Sequence, residues 1–558
     1  VCPIDRASAE AMLAELRGAP LLHGYRGRPA VDREALIQAM LALGGADGLL
    51  LRHADAIAEF DVNPLIVGEH GAVAVDARAR LEAQPAPADR PRPPDFAPLF
   101  QPNAVAVAGA SATKPAHGNL YIRQLKAFGF PGPILPIHPT APEIEGLAAV
   151  RSLADLPAPI DYAYVAVGVA AATEMLREAA GKVRFAQVMA SGFDAPAKAA
   201  LRAAGHASGA RVLGPNCLGT HAPAGRLSFM AGADAAPGGV AVLAQSGGLS
   251  LDVLRRGARK GIGFRAVVTM GDCADLGPAD LLTWLLDDPA TGVIGLYLED
   301  APDGRALFEA LRRAAGRKPV VLLVGGRTGA GARAAASHTG ALASDGRLWD
   351  AIARQTGAAL VETLDGFLDA LQACQQLAPR HGAPTRRAVL FGNGGGAGVL
   401  AADAFARAGL DVGPLPPDAA AALEALNLPA GASAANPIDV PGNVLQREDG
   451  RFGVKVVEAA LAGGGWDAFV LHMNVPGLLA YEHVDILGSL IEAALTAARA
   501  GAGGHVVLAL RSDGEPEVEA KKQAYAAAAR AAGCAVFDEL PDAAGALAAL
   551  AAIETMPA

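Results

Sequence analysis

Three times along this chain an apolar run passes through a glycine-rich turn into a helical pattern. Ala104–Ala108 enters Gly109-Ala110-Ser111-Ala112-Thr113 and a helix from about Asn119 to Phe128. Gly239–Ala244 enters Gln245-Ser246-Gly247-Gly248-Leu249-Ser250 and a helix through about Lys260. Arg387–Phe391 enters Gly392-Asn393-Gly394-Gly395-Gly396-Ala397-Gly398 and a helix through about Ala408. Strands without polar alternation are buried on both faces, as in parallel sheets flanked by helices. The expected fold class is therefore α/β, with doubly wound units that hold ligands at the carboxyl ends of their strands. A helix that starts on glycines offers bare N–H groups and positive potential to an anion. Ser246, Gly247 and Gly248, and separately Gly394, Gly395 and Gly396, are the candidate phosphate-binding positions.

At 558 residues the chain exceeds one core, and roughly three or four domains are expected. The predicted boundaries are 1–84, a small α/β segment; 85–95, a proline-rich linker; 96–225, a doubly wound unit; and 226–380 and 385–555, a second and a third α/β unit. In the first segment helices are expected over Ala9–Leu16, capped by Ser8, and Asp32–Leu43. Strands over Ile57–Val67 and Ala72–Asp76 are joined as a hairpin at Gly68-Glu69-His70-Gly71. That hairpin puts Asn63 and Asp76 on adjacent strands. Two such oxygen ligands suit Mg²⁺, which takes one or two protein oxygens plus substrate phosphates. In the doubly wound unit further strands end at Gly168-Val169, Ala190-Ser191-Gly192 and Gly214-Pro215-Asn216. These ends define one open crevice.

Net charge is −10, which disfavours a nucleic-acid partner. No apolar stretch of about 20 residues is free of charge and turn residues, so no membrane span is expected. The five cysteines are dispersed without a CxxC pair, which points away from disulfides and zinc and towards a reduced, cytoplasmic setting. The chain begins with Val1, which suggests that the natural protein extends upstream.

The remaining chemistry lies in Ser337-His338-Thr339-Gly340-Ala341-Leu342, after the strand Pro319–Gly326 and a small-residue stretch, Arg327–Ala336, read as a loop. A neutral imidazole is both nucleophile and leaving group near pH 7, so His338 suits the carriage of a group in transit. Glu299, at the end of the strand Thr291–Leu298, is placed to accept the imidazole Nδ1–H and present Nε2.

These motifs, in this order, resemble the NDP-forming acyl-CoA synthetases, the superfamily of succinyl-CoA synthetase and ADP-forming acetate–CoA ligase. The matching stretches are Gly109-Ala110-Ser111, Gly214–Gly219, Gln245–Gly248, Tyr297-Leu298-Glu299, Ser337–Gly340, Asn393–Gly398 and Asn436-Pro437-Ile438-Asp439. Glu59–Leu65 followed by Ala74–Arg78 resembles the closing hairpin of an ATP-grasp domain. The resemblance implies an N-terminally truncated ATP-grasp segment, a Rossmann-like CoA-binding domain and two flavodoxin-like domains. It implies CoA, ATP/ADP and Mg²⁺ as cofactors, with the metal on Asn63 and Asp76. It makes His338 a phosphorylated carrier, Glu299 its partner, and Gly109, Ser111, Val167, Gly168, Val169, Ser191, Gly192 and Asn216 the CoA pocket. The implied reaction joins a small carboxylic acid to CoA through phosphohistidine and acyl phosphate, in a homo-oligomer.

The sequence departs from the family in three places. Val324-Gly325-Gly326-Arg327 carries no lysine before Gly-Arg, Asp194 stands where Glu is commoner, and Leu135–Thr140 lacks a lysine near the CoA phosphates. The competing class is a non-catalytic CoA- or acyl-CoA-binding regulator. A protein acyltransferase would need a further domain. A nicotinamide dehydrogenase would need the fingerprint glycines that the Gly-Ala-Ser turn lacks.

Overall fold

The computed structural model describes residues 1–27, 29–82, 93–339, 345–481, 483–499 and 503–557, and gives the backbone alone for 336–339. The chain divides into two compact units, Val1–Arg92 and Pro93–Ala558.

In the first unit, α1 (Arg6–Ala14) and α2 (Arg33–Gly44) precede four strands, β1 (Ile57–Val62), β2 (Leu65–Val67), β3 (Ala72–Ala74) and β4 (Ala77–Leu81). The cap of α1 is Asp5, not Ser8: the Asp5 carboxylate accepts from the Ser8 N–H at 2.7 Å. Asp32 caps α2 through the Ala35 N–H at 2.9 Å. Residues 33–52 form the one described stretch with the length and composition of a membrane span. They are two helices, α2 and a single turn Leu49–Arg52, broken at Gly45 and Gly48. The expected hairpin is present, with β2 antiparallel to β3 and β1 to β4. The run Ile57–Val67 is split at Asn63-Pro64, because proline cannot donate to a ladder. Asn63 and Asp76 therefore lie between the two ladders, where the Asn63 N–H donates to Asp76 O at 3.1 Å.

The second unit holds three main sheets. The first has the order β9-β8-β7-β5-β6, from β5 (Val105–Ala108), β6 (Ile134–Ile137), β7 (Ile160–Val165), β8 (Val183–Val188) and β9 (Arg211–Leu213). All its pairs are parallel. The helix after β5, α3 (His117–Phe128), starts two residues earlier than its sequence pattern suggests. Gly109, in the turn between them, has φ +86°, and a Cβ there would collide with the Ala166 carbonyl.

The second sheet has the order β10-β12-β11-β13-β14-β15, from β10 (Thr220–His221), β11 (Val240–Ala244), β12 (Phe264–Thr269), β13 (Val293–Leu298), β14 (Val320–Val324) and β15 (Ala359–Val361). Its central strands are almost wholly buried, as the apolar runs require. Helix α4 (Gly247–Arg259) follows β11, and α5 (Gly329–Thr339) follows β14. The stretch read as a loop, Arg327–Ala336, is thus largely helical. Thr328 explains this: its Oγ1 accepts from the Gly331 N–H at 3.1 Å, and its carbonyl accepts from the Ala332 N–H at 2.7 Å. The alanines behind this cap have the highest helix propensity of any residue.

The first two sheets are tied by a buried amide. Gln187 on β8 accepts from Tyr162 Oη at 2.5 Å and Thr220 Oγ1 at 2.9 Å, and donates to the Thr269 carbonyl at 2.9 Å.

The third sheet has the order β17-β16-β18-β19-β20, from β16 (Ala388–Gly392), β17 (Ile438–Asp439), β18 (Ala468–Asn474), β19 (His505–Arg511) and β20 (Ala535–Phe537). Helix α7 (Gly395–Arg407) follows β16; α6 (Leu364–Gln376) precedes this sheet and α8 (Leu540–Glu554) closes it. Between the second and third sheets lies a charged cluster. Lys260, just past α4, reaches Asp369 of α6 at 2.6 Å and Asp538 at 4.0 Å, and Lys522 reaches Asp538 at 2.5 Å.

Burial pushes the Asp369 carboxyl from 3.8 up to about 6, aided by Asp542 and Asp538 and opposed by Lys260. A carboxyl raised on folding stabilises the fold below its unfolded value and loses that contribution as pH rises through its folded value. We expect up to about 3 kcal/mol of stability to be lost between pH 4 and 6 on this account. Urea unfolding across that range should show the slope in the parent and a flatter profile in Asp369→Asn.

Candidate active site

An open cleft of about 680 Å³ lies where the carboxyl ends of the first sheet meet the start of α4. Val167, Gly168, Ser191 and Asn216 line it from the first sheet, and Ser246, Gly247 and Gly248 from the second. The arrangement follows from the fold: in a parallel sheet every strand delivers its turn to the same edge. Ser246 caps α4, its Oγ accepting from the Leu249 N–H at 3.3 Å. Gly247 and Gly248 come before the first intrahelical donor, so their N–H groups stand at the positive end of the helix dipole.

A short ladder holds the two walls together. The N–H groups of Asp272, Ala274 and Leu276 donate to the carbonyls of Pro215, Gly214 and Val212 at 3.0, 2.8 and 3.1 Å. Below them Asp275 accepts from Arg211 Nε at 2.8 Å and from the Val212 N–H at 2.9 Å. This ladder carries Asp272 into the cleft, with its carboxylate 2.9 Å from Lys198 Nζ and 3.3 Å from the Asn216 amide. Cys217 also lines the cleft, and burial pushes its thiol up to about 12. It is therefore a protonated, poorly nucleophilic wall group at neutral pH.

Glu299 stands beside this cleft. Gln245, a lining residue, accepts from the Glu299 N–H at 2.5 Å and the Asp300 N–H at 2.9 Å, and Tyr297 Oη donates to Glu299 Oε1 at 2.9 Å. The Gly325 N–H donates to Leu298 O at 2.8 Å, so the turn that leads to α5 starts next to Glu299. The backbone of α5 runs through His338, whose side chain lies outside the described residues.

The remaining candidates lie elsewhere. Gly109, Ser111, Val169 and Gly192 do not line the cleft, and neither do Gly394, Gly395 and Gly396. The Ser111 N–H donates to Asn119 Oδ1 at 2.8 Å, and Ser111 Oγ accepts from the Thr113 N–H at 3.3 Å, which closes that turn on itself. The Asn393-to-Gly396 turn occupies the carboxyl edge of the third sheet, pinned to the end of β18 by the Asn474 N–H on Asn393 Oδ1 at 2.7 Å. Asn436 serves the backbone, accepting from the Leu390 N–H at 2.9 Å and donating to Ala388 O at 2.8 Å. In the first unit, Asn63 and Asp76 both present exposed side chains. No group of three or more potential metal ligands from His, Cys, Asp and Glu occurs among the described residues.

His117, Met189, Cys217, Gln245 and Asp272 line the cleft without having been singled out as site residues. Gln245 follows a buried strand directly, the one signal that could have marked it. Asp272 follows β12 by three residues, but its partner Lys198 lies in a different unit of the sequence.

Family models match in the same order along the chain: an ATP-grasp domain over residues 1–81, a CoA binding domain over 103–223 and a succinyl-CoA ligase like flavodoxin domain over 237–374. The chain is 33% identical over 387 residues to ADP-forming acetate–CoA ligase II of Archaeoglobus fulgidus, covering 66% of this chain and 55% of that protein. It is 33% identical over 324 residues to the alpha subunit of ADP-forming acetate–CoA ligase I of Pyrococcus furiosus, covering 56% of this chain and 70% of that subunit. The dinucleotide-forming acetyl-coenzyme A synthetase 1 of Candidatus Korarchaeum cryptofilum, solved with phosphate and ADP, superposes with a TM-score of 0.69 at 30% identity. That alignment covers 82% of this chain and 97% of that one.

Fold, cleft and similarity together define a class: this chain belongs to the NDP-forming acyl-CoA synthetase superfamily, the succinyl-CoA synthetase-like proteins. Its domain order, with an ATP-grasp-like segment ahead of the CoA-binding and flavodoxin-like domains, is the expected one. The chain spans 55% of the A. fulgidus ligase II and half of the A. fulgidus ligase I.

Gly248 has open space around its Cβ position. Gly248→Asp should therefore leave the melting temperature unchanged while placing a carboxylate on the cleft wall. Its affinity for inorganic phosphate, measured by calorimetry, should fall at least tenfold. Unchanged affinity would show that the start of α4 holds no anion.

Proposed function

We propose that this chain belongs to an acyl-CoA synthetase that makes acyl-CoA from a carboxylic acid, CoA and ATP, releasing ADP and phosphate. One observation carries the reading. A single cleft joins Val167, Gly168, Ser191 and Asn216 of the CoA-binding domain to the glycine-rich, Ser246-capped start of α4, with Glu299 held beside it through Gln245.

In this reading His338 attacks the terminal phosphorus of ATP and releases ADP. The acid's carboxylate then takes the phosphoryl group from the histidine, which leaves as imidazole. The CoA thiolate attacks the acyl phosphate at carbon and expels phosphate. Gly247 and Gly248 hold the phosphoryl oxygens by backbone N–H groups, with Ser246 fixing the helix start. Gly394, Gly395 and Gly396 offer a second such helix start. Glu299 orients the imidazole and stabilises its charge. Val167, Gly168, Ser191 and Asn216 hold CoA, with Gly109, Ser111, Val169 and Gly192 shaping the adjoining turns. The buried thiol of Cys217 supplies a neutral wall that does not compete with CoA as a nucleophile.

Asn63 and Asp76 fit a magnesium ion bound largely through nucleotide phosphates: they are adjacent through a backbone hydrogen bond and exposed, and only two in number. The ion supplies charge neutralisation to the transferring phosphates. Relatives are named for acetate, for 4-hydroxybutyrate and for trans-feruloyl-CoA, so short aliphatic acids and aryl acids are both to be screened.

The reverse half-reaction tests this on the chain as it stands. Acetyl-CoA and other short acyl-CoAs with ³²P-phosphate should label the protein, with an acid-labile, base-stable bond, and should not label His338→Ala. A folded protein that binds CoA yet takes no label from any acyl-CoA would overturn the ligase reading in favour of a CoA-binding regulator.

A further inference from the structure

Glu299 is held by two groups with different tasks. Gln245 accepts from its backbone N–H at 2.5 Å and so fixes where the residue stands. Tyr297 fixes how the side chain is turned: its Oη donates to Glu299 Oε1 at 2.9 Å. The contact follows from strand geometry. Tyr297 is the last residue but one of β13 and Glu299 the first beyond it, so the two stand two positions apart on one face. Leu298, between them, is turned to the other face and buried. The neighbouring strand end completes the arrangement. A Cβ on Gly325 would stand 3.4 Å from Tyr297 Oη and 3.6 Å from Glu299 Cγ, so the turn that leads to α5 starts against this pair.

The chemistry of the donor matters. Burial raises the Tyr297 hydroxyl above its usual range, and the charge of Glu299 adds to the effect. The phenol therefore stays protonated and remains a donor. An arginine or lysine in its place would hold the carboxylate as firmly but would offset its charge. A carboxylate that serves an imidazole has two duties: it aligns the ring through Nδ1–H, and it stabilises the positive charge that develops there. A neutral donor on one oxygen supports the first duty and leaves the charge available for the second.

We propose that Tyr297 is a positioning residue of the phosphoryl-transfer site, acting through Glu299. By holding Oε1 it fixes the plane of the carboxylate, which keeps its orientation whether or not the imidazole of His338 is in place. Tyr297 itself exchanges neither a proton nor a phosphoryl group. This rests on the reading of Glu299 as the partner of His338.

The reverse half-reaction tests the role on the full chain, with ³²P-phosphate and acetyl-CoA or whichever acyl-CoA labels the parent fastest. At saturating acyl-CoA, Tyr297→Phe should take label about tenfold more slowly than the parent, with half-saturation unchanged. Glu299→Asp draws the carboxylate back by one methylene, out of reach of the hydroxyl, but keeps a carboxylate in the site. In that background Tyr297→Phe should change the rate by less than about twofold. The ¹³Cζ signal of Tyr297, identified by its loss in Tyr297→Phe, should move in Glu299→Asp. A parent-like rate in Tyr297→Phe would overturn the inference. So would a tenfold loss that persists in Glu299→Asp, because the hydroxyl would then act on the fold and not through Glu299. Absence of label in a parent that binds CoA would overturn the ligase reading and the role of Tyr297 with it. The ¹³Cζ response, which needs no label, would in that case mark a structural contact only.

Discussion

Gln245 holds the candidate site together. Its side-chain oxygen takes the backbone N–H groups of both Glu299 and Asp300 where β13 ends, while its own backbone begins the turn into α4. Two strands that pair within the sheet are thereby also pinned beyond it, at the edge where pairing stops. Because one oxygen serves two donors, neither turn can shift without leaving a polar group bare, at a cost of about 1–3 kcal/mol. The cleft wall, the carboxylate of Glu299 and the start of the segment leading to His338 all take their positions from this contact.

Around that pin the chain places positive potential without lysines. The cleft's phosphate candidates are backbone N–H groups on glycine, no lysine lines the cleft, and Lys198, which reaches the lining residue Asp272, is already paired with it. Fixed dipoles need no reorganisation when charge arrives, whereas a mobile ammonium group must be ordered. The third sheet repeats the device at Gly394–Gly396, but there the acidic side chain of Asp439 shares the helix start. The two starts are thus chemically unequal although their sequences look alike.

What was legible in the sequence follows from range. Strands buried on both faces announce themselves locally, so Val105–Ala108, Val240–Ala244 and Ala388–Gly392 were readable, along with their glycine turns. Helix α5 was misread because small residues were taken as loop formers, although Thr328 and the alanines behind it favour a helix. Asp5 capped α1 in place of Ser8, a choice set by three-residue geometry that either side chain could have met. Asp272 and Lys198 were invisible because 74 positions separate them in sequence and a ladder between two domains brings them together. The placement of Gly109 and Ser111 outside the cleft reflects a turn closed by its own Asn119.

Helix α4 has one end in the cleft and the other in the charged cluster of the third sheet. Gly247 lines the first and Lys260, at its far end, is bound to Asp369 and neighbours Asp538. At 1.5 Å per residue the helix is a strut of about 20 Å. Parting the second sheet from the third would therefore unseat one end of this strut.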